Sequence, residues 1–129
     1  MGDEQFVIGE LARRTGYSTG MIRHLEKMGV ITPPVRTAVG YRLFGPHHVQ
    51  ELRFVRDMQD LGFYAQQIKM LREIKLGESP IIEKQEAIEE IFQEHARYVE
   101  DKVTYFTNLK NRLSVVAPDF VDNILISDC

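Results

Sequence analysis

The sequence predicts a mainly α protein. A winged helix-turn-helix domain over residues 1–77 is followed by a long dimerisation helix over 78–117 and a short C-terminal tail over 118–129. Three observations carry this reading. Two short helical patterns flank Gly16, and a Pro-Pro break is followed by two arginine-bearing strand patterns. Beyond Ser79, an apolar repeat with a period of seven meets no helix breaker until Pro118.

Ile8, Leu11 and Ala12 share one helical face, and Ile22, Leu25 and Met28 share another. Between them, Thr15-Gly16-Tyr17-Ser18 makes a tight connection, with Ser18 placed to cap the second helix by accepting an orphan backbone N–H. Two short helices joined by a Gly-bearing turn form the helix-turn-helix unit, whose second helix lies in the DNA major groove. Thr32-Pro33-Pro34 ends that helix, because proline has no amide donor and pushes the preceding residue towards extended geometry. Residues 35–39 and 40–44 then read as two short strands, with Arg36 and Arg42 set among Tyr41 and Phe44. A β-ribbon beside a recognition helix is a wing, and its arginines suit phosphate oxygens.

These pieces resemble the N-terminal domain of the mercury-resistance regulator (MerR) family of bacterial transcription factors. The matching residues are Ile8-Gly9-Glu10-Leu11-Ala12, Ile22-Arg23, Glu26, Gly29, and Gly40-Tyr41-Arg42 followed by Phe44. The similarity continues through Leu52-Arg53-Phe54-Val55 and Leu61-Gly62-Phe63 to Ile68, about half the chain, with order and spacing kept.

Composition agrees with a globular protein: 43% apolar and 27% charged residues. No run is long enough to cross a bilayer, and residues 1–10 lack the parts of a signal peptide, which leaves the cytoplasm as the expected compartment. A single cysteine, Cys129, excludes an intramolecular disulfide and a cysteine-cluster metal site. The net charge of −3 divides unevenly. Residues 1–76 carry 11 Lys+Arg against 8 Asp+Glu, whereas residues 77–129 carry 5 against 11. The basic half suits phosphate neutralisation, and the acidic half is expected to face away from DNA.

The third helix is expected to start with Gly45 at the cap and Pro46 in the first turn, to bury Val49, Leu52, Val55 and Met58, and to close at Gly62. His47 and His48 point about 100° apart on a helix and have no completing ligands, so both read as solvated surface residues rather than a metal site. The fourth helix runs from about residue 65 to 76, with Ile68, Leu71 and Ile74 inward. Here the sequence departs from the family, which has a serine cap where this chain has Tyr64, and acids where it has Gln66 and Gln67. A helix start without acids is freer to meet a phosphate, so Tyr64 is a candidate second-wing contact.

Ser79 and Pro80 open the long helix as cap and first turn. Ile88, His95, Lys102 and Leu109 recur at heptad spacing, as do Phe92, Val99, Phe106 and Leu113, with Ile91, Tyr98 and Tyr105 widening the seam. A helix of roughly 50 Å cannot bury such a stripe on a small domain alone and calls for a second copy. The family resemblance implies an antiparallel coiled coil between two subunits. His95 and Lys102 read first as register-setting polar residues; a second reading gives Ser79, His95, Tyr98 and Tyr105 to a polar effector pocket. The tail contains Phe120, Val121, Ile124, Leu125 and Ile126 and is expected to dock as a short helix. Metal- and redox-sensing members of the family carry clustered cysteines there. This chain has only Cys129, and Ser79 stands at the hinge position that often supplies a ligand, so neither thiolate metal sensing nor any cofactor is expected.

The expected DNA contacts are Ser18, Thr19, Arg23 and His24 on the recognition helix, then Arg36, Thr37, Tyr41 and Arg42 on the wing, with Tyr64 beyond. Arg23 suits a bidentate contact to guanine. The family usually has Tyr-Tyr after this arginine; here it is His24-Leu25, so base preference does not transfer. The resemblance implies a homodimer on a pseudo-palindromic promoter, bending and untwisting the spacer for RNA polymerase, with a small-molecule effector possible. The alternative is an architectural or excision-directing DNA-binding protein without an effector, against which the long dimer helix argues. No nucleophile–base pair, phosphate loop or metal-ligand spacing points to an enzyme.

Overall fold

The computed structural model describes residues 4–127, and the chain divides between Pro80 and Ile81 into two units. The first unit holds four helices and a two-stranded ribbon. Helix α1 (Ile8–Thr15) ends at Gly16, whose φ of 80° is left-handed and whose N–H reaches the Ala12 carbonyl at 2.8 Å. Helix α2 (Thr19–Met28) ends in the same way at Gly29, φ 78°. A side chain at either position would strain the backbone, which is why glycine punctuates both ends. Ser18 caps α2 as expected, its Oγ accepting from Met21 N at 3.0 Å. Leu11, Ile22, Leu25, Val30 and Ile31 enter the core, where they meet Phe44, Leu52, Val55, Phe63, Ile68 and Leu71.

The ribbon is shorter than the sequence suggests. Strands β1 (Val35–Arg36) and β2 (Arg42–Leu43) pair antiparallel, with Val35 opposite Leu43 and Arg36 opposite Arg42. Residues 37–41 are spent on the turn: Thr37 N donates to Tyr41 O and Gly40 N to Thr37 O, each at 2.9 Å, while Tyr41 N donates to the Thr37 hydroxyl at 3.1 Å. At the other end, Phe44 leaves the ribbon to exchange two backbone hydrogen bonds with Phe6, at 2.9 and 2.8 Å.

Helix α3 (Pro46–Asp60) opens with Gly45 and Pro46, and its start holds the main surprise of this unit. His48 is buried, not solvated. Its Nδ1 accepts from Gly45 N at 3.1 Å and its Nε2 faces the Thr32 carbonyl at 2.9 Å. A residue in the third position of the helix thus satisfies the N–H of the cap residue itself. Thr32 is also tied by its N–H and hydroxyl to Glu51, the hydroxyl at 2.6 Å, and Arg72 donates to that hydroxyl at 2.9 Å. Helix α4 (Ala65–Leu76) brings Arg72 into this network. The segment leaving α2 towards the wing is therefore fixed by side chains of α3 and α4.

The second unit is helix α5 (Ile81–Ser127), 47 residues, or about 70 Å. The sequence places a break at Pro118 and a separate tail helix beyond; α5 runs through Pro118 instead. Proline already has a helical φ. Inside a helix it forfeits one i→i−4 bond and crowds one carbonyl, a cost of about 3 kcal/mol. Phe92, Val99, Phe106 and Leu113, spaced by seven, are all exposed in the single chain. The expectations for Cys129 fall outside the described residues. No described helix is long and apolar enough to cross a membrane.

Candidate nucleic-acid interface

With Ile22 and Leu25 committed to the core, helical geometry turns Arg23, His24 and Lys27 outward, and all three are exposed. Ser18 is exposed and Thr19 half-buried at the start of this face. The first turn of α2 contains no acid, so the partial positive charge of the helix start is not offset locally. Helix α1 differs. Its Arg13 and Arg14 both bind Glu10, and Arg14 also reaches Glu4. Those arginines, Arg13 first, hold the Glu10 carboxyl down at about 2. The basic residues of α1 are thus answered by acids of its own neighbourhood, while those of α2 face outward.

The wing is attached to α2 by one carboxylate. Arg42 Nε donates to Glu26 Oε2 at 3.0 Å, and Arg36 Nη2 lies 3.7 Å from Glu26 Oε1. Thr37 serves the turn, and Tyr41 projects with two-thirds of its surface exposed (66%). Tyr64 is an exposed cap residue at the start of α4, a helix whose first turn also lacks acids. The half of a capping box that needs no side chain at Tyr64 is made, since Gln67 Oε1 accepts from Tyr64 N at 2.8 Å.

Two features of this face escape sequence reasoning. Glu26 is one, because its partners lie on the wing and not at helical spacing. Arg56 is the other: its guanidinium stacks over the Tyr17 ring at 4.6 Å, beside the Gly16 turn, while the Tyr17 hydroxyl donates to Gln59 Oε1 at 2.9 Å. Tyr17 thus packs the helix-turn-helix corner against α3.

Of the residues considered for an effector pocket, His95 and Tyr98 stack along α5 with centroids 6.0 Å apart. Lys102 Nζ lies 5.5 Å from the Tyr98 ring and 5.9 Å from that of Tyr105. Ser79 is exposed in the link ahead of α5. Among the described residues no group of three or more His, Cys, Asp and Glu is arranged to hold a metal ion. The His47 and His48 rings lie with centroids at 4.0 Å and tilted by 41°, but both nitrogens of His48 are engaged by the backbone.

The pattern that defines the MerR HTH family of regulatory proteins matches residues 6–73, more than half of the chain, taking in the helix-turn-helix, the wing, α3 and most of α4. The chain belongs to the MerR family. It is a family of DNA-binding regulators, not of enzymes. Over 64 residues the chain is 50% identical to the HTH-type transcriptional regulator HmrR of Sinorhizobium medicae, a stretch covering 50% of this chain and 44% of that relative. The chain spans about half the length of the curated relatives it matches in this region. Among solved structures it is similar in fold to PbrR691 from Ralstonia metallidurans, crystallised in complex with lead(II), with TM-score 0.77, 21% identity, and 88% of this chain and 86% of that one covered. It is also similar to HiNmlR, a MerR family regulator lacking the sensor domain and bound to promoter DNA, with TM-score 0.61, 20% identity and coverage of 86% and 89%.

Proposed function

We propose that this MerR-family protein is a sequence-specific transcriptional regulator that binds promoter DNA as a homodimer. The observation that carries the reading is the outward Arg23-His24-Lys27 face of a serine-capped helix with no acid in its first turn, with an arginine-bearing wing held to that helix by Glu26. Arg23 reads a base edge, and Ser18, Thr19 and His24 engage the flanking backbone. Arg36, Tyr41 and Arg42 meet phosphates from the wing, Thr37 shapes its turn, and Tyr64 meets a phosphate from the start of α4.

The dimer forms along α5. Ile88, Phe92, His95, Val99, Phe106, Leu109 and Leu113 form its seam in an antiparallel coiled coil, which covers apolar surface that Val99, Phe106 and Leu113 expose in one chain. Two-fold symmetry sets the recognition helices on successive major-groove faces of a pseudo-palindrome. The dimer bends and untwists the intervening spacer, so that RNA polymerase contacts realign and untouched base pairs are read as deformation energy. Its place of work is where the chromosome is, in the cytoplasm. Residues 1–129 offer one thiol per subunit, which gives no set of clustered thiolates within these residues to hold a metal as the signal. A small effector seated along His95, Tyr98 and Tyr105 of α5 is one route for a signal.

Retention of genomic fragments by the purified protein, followed by sequencing and footprinting, tests this. The expected result is a small set of promoters sharing an inverted repeat, each bound by two subunits. Failure to retain any duplex at low salt overturns it.

A further inference from the structure

Arg36 and Arg42 stand directly opposite each other on a ribbon of only two paired positions per strand. Like charges at directly opposed positions push strands apart, and so short a ribbon has little else to oppose this. The Glu26 side chain, 16% exposed, answers both: one oxygen lies at 3.0 Å from Arg42 Nε and the other at 3.7 Å from Arg36 Nη2. A guanidinium has five N–H donors. Using Nε on Glu26 leaves the Nη1–Nη2 edge of Arg42 oriented and able to make a two-pronged contact with a phosphate. Glu26 thus removes repulsion within the wing, fixes the angle between wing and recognition helix, and presents an arginine already turned for its ligand.

Resting on the DNA-binding reading above, we propose that Glu26 is a positioning residue for the DNA backbone, an acid on the DNA-facing helix that strengthens binding to a polyanion. Simple electrostatics gives the opposite sign, because removing a carboxylate near phosphates relieves repulsion.

The test uses the full chain and a mixed-sequence duplex long enough for both halves of a dimer, titrated by fluorescence anisotropy at several salt concentrations. Glu26→Gln keeps an acceptor for Arg42 Nε but loses the charge between the arginines, and is expected to bind a few-fold more weakly than the parent. Glu26→Ala loses both and is expected to bind about tenfold more weakly. Neither variant changes the slope of log affinity against log salt, since Glu26 meets no phosphate. Arg42→Ala lowers that slope by about one. Placed in the Arg42→Ala background, Glu26→Ala is expected to lose most of its effect. Binding by Glu26→Gln as tight as or tighter than the parent overturns the proposal, as does an undiminished Glu26→Ala loss in that background. Glu26→Gln is nearly isosteric and decides the sign even if Glu26→Ala does not fold. A parent protein that binds no duplex at all refutes the regulator reading instead.

Discussion

His48 Nε2 donates to the Thr32 carbonyl at 2.9 Å while its Nδ1 accepts from Gly45 N at 3.1 Å. That pair of bonds fixes the tautomer: Nδ1 carries no proton, and the neutral ring is the form the fold accommodates. Burial pushes the imidazole pKa below its usual 6.5. The unfolded chain therefore binds this proton at higher pH than the folded one. The stabilising contribution is complete above about pH 6.5 and is lost as the pH falls through the lower, folded-state value. Urea unfolding at neutral and mildly acidic pH should show this decline, and His48→Gln should flatten it in that window. His48→Ala, which strands the Gly45 N–H and the Thr32 carbonyl, should cost about 1–3 kcal/mol.

The cap on α2 is a single hydroxyl, Ser18 Oγ to Met21 N. Ser18→Ala should lower stability by about 1 kcal/mol, and Ser18→Asn should restore most of it. Chemical denaturation measures both. If Ser18 also meets DNA, affinity falls in Ser18→Ala by more than stability alone explains.

Arg23 points away from a core that holds Ile22 and Leu25. Replacing it with alanine should reduce discrimination between a selected site and a scrambled duplex by about 1–3 kcal/mol, and leave the secondary structure unchanged. Competition binding with both duplexes reads this out. Equal loss on both duplexes would assign Arg23 to the backbone and not to a base.

Phe106 is exposed in the single chain, on the same heptad track as Phe92, Val99 and Leu113. Phe106→Glu should give monomers in sedimentation at micromolar concentration and should weaken operator binding with them. A variant that stays dimeric removes this track from the subunit contact.

Much of the fold is legible before any coordinates. Gly16 marks a helix end, Ser18 and the Gly45-Pro46 pair mark helix starts, and the 22/25 spacing fixes which way Arg23 and His24 turn, whereas α2 closes at Gly29, ahead of the Thr32-Pro33-Pro34 break that the sequence offers as its end. These are local signals, each read within one or two helical turns. The signals that were missed are those that join distant residues. His48 looks like a surface histidine because nothing near it announces that Thr32, sixteen positions earlier, will need a donor. Glu26 looks like a solvated helix residue until the ribbon folds back and delivers Arg42 to it, again across sixteen positions. Pro118 misleads in the opposite direction: it reads as a local breaker, yet α5 continues through it to Ser127.

The pair of backbone bonds between Phe6 and Phe44 has a practical reach. The return strand of the wing is stitched at its base to residues that precede the first helix, so this arm is anchored from the front of the domain as well as from its middle. A purification handle or reporter fused close upstream would pull on that stitch. Whoever builds one should leave a flexible spacer before Phe6, or risk mistaking a displaced arm for a protein that cannot grip its target.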